Sequence, residues 1–102
     1  LEGPAHSGPQ IDDYRLDPGL QGQAAVVEIY GADRLGFLGE LLGHFAGLAL
    51  FPEAMTITTV DGRVHDRFWL RAIGGLAPSP ESLDALEASL ADLVVGRIAT
   101  PA

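Results

Sequence analysis

Between Gln23 and Gly31 the side chains alternate, with Ala25, Val27 and Ile29 on one side and Val26, Glu28 and Tyr30 on the other, which predicts a half-buried strand. The period then changes. Leu35, Leu38, Leu41, Leu42, Phe45 and Leu48 follow at spacings of three and four, one apolar stripe along a helix over about Arg34 to Gly47 with Asp33 as its expected N-cap. Gly39, Gly43 and Gly47 share one side of that helix, which fits either close approach of another backbone or a weak, composition-driven helix. Ala54 to Val60 is rich in β-branched residues and reads as a strand, and Asp61-Gly62 is the signal for a tight hairpin. The returning strand, Arg63 to Ile73, places Val64, Phe68, Leu70 and Ala72 on one face, with Asp66 as the exception among them. Its other face carries Arg63, His65, Arg67, Trp69 and Arg71. Gly74-Gly75 and Pro78-Ser79-Pro80 close this strand and open a second helix, with Ser79 as N-cap, Pro80 at N1 and Leu83, Leu86, Leu90, Leu93 and Val94 as its buried stripe.

Two helices of this kind cover one face of a small antiparallel sheet, an α+β two-layer sandwich of the ferredoxin-like plan that needs one more strand than the three assigned so far. Ile11 to Leu16 or Val95 to Ala99 could supply it. The N-terminal segment is favoured, because little chain remains after the second helix, and Asp17-Pro18-Gly19 then turns into the next strand. Residues 1–10, with Gly and Pro twice each, read as a flexible leader, 11–95 as the domain and 96–102 as a tail. The first residue is Leu1 rather than Met, as expected of a segment cut or processed from a longer protein.

Composition narrows the function classes. At 102 residues the chain makes one domain, and 47% apolar residues suffice for one core. The absence of cysteine removes disulfides and thiolate sites and agrees with a cytoplasmic setting. The longest apolar stretch, Leu48 to Pro52, falls far short of the roughly 18 residues that cross a bilayer, so no membrane partner is expected. A net charge of −8, spread along the chain, repels phosphate backbones, so nucleic acid is not an expected partner either. No nucleophile–base pair, no phosphate-binding glycine loop and no cofactor motif is present. His44 lies one turn from Glu40, but two groups are too few to hold a metal, and the His65-Asp66 dipeptide lies in a strand that sends its side chains to opposite faces. A non-catalytic domain without cofactor or metal is the expectation.

Two features remain for binding. The Arg63, His65, Arg67, Trp69, Arg71 stripe is the most basic feature of an acidic chain and carries residue types common at protein interfaces, although a self-contained salt-bridge and cation–π surface would look the same. At the strand-to-helix turn after Asp33, the amides of Leu35, Gly36 and Phe37 would lack helical partners, and Gly36 would let a carboxylate come close. The plainer reading is that Asp33 caps the helix and Gly36 relieves crowding.

The run Val26-Val27-Glu28-Ile29-Tyr30-Gly31-Ala32-Asp33-Arg34-Leu35-Gly36-Phe37-Leu38, followed by the Gly-Arg-Val-His-Asp-Arg-Phe-Trp-Leu strand from Gly62 to Leu70, resembles the ACT domain family. It is most similar to the ACT domains at the C-terminal end of bacterial PII uridylyltransferases and their plant ACT-repeat relatives, over about residues 24–94. The resemblance implies a regulatory module that binds a small ligand, usually an amino acid, where two such domains pair as a homodimer or a tandem copy. By that resemblance Asp33, Arg34, Leu35, Gly36 and Phe37 form one wall of the site and Ala49, Leu50 and Phe51 of a partner domain the other. Leu35 stands where the family usually has Pro, and Phe51 stands where it uses Asp or Asn. The second departure implies a more apolar ligand, or a domain that keeps only the fold and the pairing. In the latter case the Arg/Trp face would dock a protein.

Overall fold

The computed structural model describes residues 9–19 and 21–94. The strands are β1 (Asp13–Asp17), β2 (Ala25–Ala32), β3 (Leu50–Val60) and β4 (Arg63–Ala72), and the helices are α1 (Phe37–Gly47) and α2 (Pro80–Leu93). All neighbouring strands are antiparallel in the order β1-β2-β4-β3, so β2 and β3 run parallel with β4 between them. This is the α+β, ferredoxin-like arrangement. β1 supplies the fourth strand at the β2 edge, shifted slightly from the expected Ile11 to Leu16, because Ile11 is drawn off toward α2. The Ile11 amide donates to the Leu93 carbonyl at 3.0 Å, and Ile11 bridges to Val94. Pro9, expected in the leader, is buried with it. The alternative strand at Val95 to Ala99 lies outside the described residues.

Alternation decides which face is covered. Val27 and Ile29 of β2 and Val64, Phe68 and Leu70 of β4 form one core with Leu41 and Phe45 of α1 and Leu86 and Leu90 of α2, so both helices lie on the same face. Phe45 meets Phe68 edge to face, with ring centroids 5.1 Å apart. The hairpin turns as expected, since Asp61 (φ 52°) and Gly62 (φ 76°) adopt the paired left-handed conformations a two-residue turn needs. α2 begins as expected too. Ser79 Oγ accepts from the Ser82 amide at 3.1 Å, and Pro80 sits in the first turn.

The start of α1 corrects the sequence reading. Asp33 is not its cap; the amide of Asp33 donates instead to the Gly62 carbonyl at 2.8 Å, tying the loop to the hairpin. The Phe37 amide donates to the Arg34 carbonyl at 3.1 Å, and Gly36 has φ 81° and ψ −2°, the geometry of a type II turn over 34–37. The helix therefore starts three residues late. Leu35, expected on the buried stripe, is 99% exposed, and Phe37 takes its place in the core. No other part of the chain approaches Gly39, Gly43 or Gly47, whose side of α1 is open among the described residues.

β3 also differs. It begins at Leu50 rather than Ala54, with a register shift between Pro52 and Ala54, where Pro52 lacks an amide to donate. Beyond the shift the helices no longer cover its inner face, where Met55 and Ile57 are exposed, while Val60, opposite Arg63, is exposed on the other face.

These packing differences are measurable by denaturant unfolding. Phe45→Ala should cost about 3–5 kcal/mol, as expected for emptying a buried aromatic site. Leu35→Ala, at a position the sequence alone would place in the same stripe, should change stability by no more than about 0.5 kcal/mol.

Candidate functional site

Three residues of late helix start leave an uncovered corner. It is a depression of about 430 Å³ lined by Asp33 to Gly39 on one side and by Ile57, Thr59, Val64 and Asp66 of the hairpin on the other. All five loop residues singled out from the sequence, Asp33, Arg34, Leu35, Gly36 and Phe37, therefore lie at one site. Arg34 is engaged with Glu40 at 2.6 Å and lies over the Phe37 ring. Of the amides expected to be free, that of Phe37 closes the turn. Those of Leu35 and Gly36 donate no hydrogen bond among the described residues, as expected, and the free donors continue into the helix at Leu38 and Gly39.

Ala49, Leu50 and Phe51 lie at the other end of α1, whose eleven residues separate them from the loop by about 16 Å. Ala49 (φ 61°) makes the helix-to-strand turn, Leu50 is buried and Phe51 is exposed on the open sheet face. The single chain does not bring the two groups together.

Sequence reading did not place Asp66 in this site. It is 1% exposed, on the helix-side face between Ile29 and Ile57. The Thr58 amide donates to its Oδ1 at 3.4 Å, a long bond and its only one among the described residues. Burial pushes its carboxyl above the ordinary carboxylate range, and the like charge of Asp33 adds to the effect. The signal was present in the sequence as the one polar residue in an apolar alternation.

The open face of the sheet holds the other predicted group. Arg63, His65, Arg67, Trp69 and Arg71 all lie on it, as the alternation required, but His65 and each of the three arginines meet a carboxylate within the chain. Arg63 pairs with Asp12, Arg71 with Glu53 at 2.7 Å, and His65 and Arg67 both with Glu28 at 3.1 and 3.0 Å. Arg67 also lies 5.8 Å from the Trp69 ring centroid, and Tyr30 stacks on His65. Hydrogen bonds from Tyr30 and His65, with the Arg67 charge, hold the Glu28 carboxyl down at about 2. Two shallow depressions, of about 510 and 460 Å³, meet at Trp69. His44 contacts Ser89 across the two helices, and no group of three or more metal-binding side chains occurs among the described residues. No helix among them is long and apolar enough to cross a membrane.

The chain matches no protein-family model, no curated protein and no solved structure.

Substitutions at the turn test its geometry. Gly36→Ala should cost about 1–2 kcal/mol for a left-handed alanine. Leu35→Pro should add roughly 0.4–1 kcal/mol, because position i+1 of a type II turn suits proline. Both are read by denaturant unfolding. The two perturbed carboxyls act in opposite directions. Glu28, depressed from 4.5 to about 2, contributes stability above pH 4.5 that is lost as pH falls through about 2, and Glu28→Gln should flatten that acid limb. Asp66, raised from 3.8, favours the folded state most below that value and least once it ionises. Asp66→Asn should therefore unfold at a higher temperature than the parent at about pH 7, with the difference shrinking toward about pH 3.

Proposed function

We propose that this chain is a non-catalytic, ACT-like regulatory domain that senses a small ligand, an amino acid, at an interface between paired domains. The observation that carries the reading is the depression at the start of α1, where a glycine turn, two free helix amides and an apolar wall from β3 meet at the edge of the sheet. Such a corner suits a small solute with a carboxylate and an aliphatic part.

Its position favours pairing. β3 is an edge strand of eleven residues, and Ala54 to Val60 contains no charge to discourage association. Because Ile57 and Thr59 belong both to this edge and to the depression, a second domain set against β3 would wall the site. A ligand touching both domains would favour one pairing geometry over others, and this differential affinity is what a linked catalytic domain would read. The partner is then a second copy or a tandem domain of the same kind.

A second reading rests on the two depressions that meet at Trp69. In it the Arg/Trp face docks a protein and the domain serves as an interaction module. The intramolecular pairing of Arg63, Arg67 and Arg71 on that face favours the ligand-sensing reading, since a docking partner would have to displace carboxylates already in place.

Calorimetric titration of the full chain with the twenty amino acids, together with light scattering, tests the proposal. Binding of at least one amino acid and a mass of two chains are expected; no binding and a single-chain mass would refute it. Trp69→Ala should leave amino-acid binding unchanged. Loss of association in that variant would instead support the docking reading.

A further inference from the structure

Asp66 occupies a position that the fold would fill more cheaply with an aliphatic residue. Its cross-strand neighbours are Ile29 and Ile57, and Val64 and Phe68 flank it along β4 on the same face. A carboxylate withdrawn from water in such a place normally has several donors or a cation. Here Oδ1 has one long bond from the Thr58 amide, and Oδ2 accepts no hydrogen bond among the described residues. The cations near the loop do not reach it, since Arg34 is held by Glu40 and Arg63 by Asp12. Of the charged groups around it, His65 on the same strand favours the ionised carboxyl and Asp33, which lines the depression, opposes it.

The same depression also carries the opposite polarity. The amides of Leu38 and Gly39 are unpaired donors at the positive end of α1. Phe37, Ile57 and Val64 line the space with apolar surface. A negative group, a pair of donors and an apolar wall complement the three parts of one kind of molecule.

We propose that Asp66 is the residue that selects the ligand, its carboxylate taking the ammonium group of an aliphatic α-amino acid whose own carboxylate rests on the amides of Leu38 and Gly39. This rests on the ligand-sensing reading above and adds to it the recognition group. It explains why a destabilising acid stands in the core-facing row of β4. The ion pair forms only with ligand bound, and the free protein carries its cost.

The test is calorimetric titration of the full chain with leucine, valine and isoleucine, each beside its des-amino carboxylic acid and its decarboxylated amine, repeated on Asp66→Asn. For the unsubstituted protein, removal of the amino group should weaken binding by about tenfold or more, the usual effect of losing a charged hydrogen bond. In Asp66→Asn, amino acid and des-amino acid should bind alike, while a thermal midpoint at or above that of the parent shows the fold intact. Equal binding of amino acid and des-amino acid to the parent protein would overturn the assignment, and so would full retention of the preference in Asp66→Asn. Either result leaves the sensor reading standing if the amino acids still bind. Failure of all three amino acids and their amines to bind would overturn the Asp66 assignment and leave the sensor reading to the other seventeen. Should Asp66→Asn not fold, the analogue comparison on the parent protein decides alone.

Discussion

The constraint on which the molecule turns is coverage: two short helices must shield one face of a four-stranded sheet, and they do not reach its far corner. α1 starts only after the type II turn at Leu35 and Gly36, and β3 runs past the end of that helical cover. Burial of Phe37, Leu41 and Phe45 holds α1 over β4, while Ile11 and β1 extend the layer on the opposite side beneath α2. The uncovered corner is therefore a product of the same packing that makes the core. Apolar contact stabilises the layer without direction, and the turn geometry determines where it stops.

That corner and the open sheet face handle charge in opposite ways. On the open face, Glu28 collects Tyr30, His65 and Arg67 in a cluster that satisfies its own members. On the helix side, Asp66 is withdrawn from solvent with a single long hydrogen bond. A satisfied surface network needs no partner to explain it. A poorly satisfied buried acid does, because its desolvation is a standing cost to the fold. The contrast between two carboxylates only one strand apart in the sheet makes the hairpin corner the functional candidate rather than the more conspicuous Arg/Trp stripe.

The proposed pairing draws on the same geometry. A long edge strand with exposed Met55, Ile57 and Val60 is an opening for another strand, and only the Pro52 irregularity interrupts its regularity. The regulation proposed through such an edge would require no large motion within the domain. It would require that the wall shared by site and edge contact a ligand differently in different pairings.

The periods of the sequence were enough to determine β2, β4, both helices, the sheet faces and the two-layer plan, while the fourth strand and the start of β3 were not so fixed. Alternation in β2 and β4 and the stripe of α2 are imposed by backbone geometry, which repeats every two residues in a strand and every 3.6 in a helix. Turn chemistry was equally legible at Asp61-Gly62 and Ser79-Pro80, where the special conformations are local. What the pattern could not determine was where α1 begins. Leu35 and Phe37 are both apolar and both near the stripe, and the choice between them depends on the Asp33 amide finding the Gly62 carbonyl, a contact between segments far apart in the chain. Nor could it show that Asp66, visible as a break in the alternation, faces the glycine turn. Only the antiparallel placement of β4 beside β2, with α1 laid across them, brings that carboxylate and those amides to one depression, because proximity between distant segments is a property of packing and not of any local period.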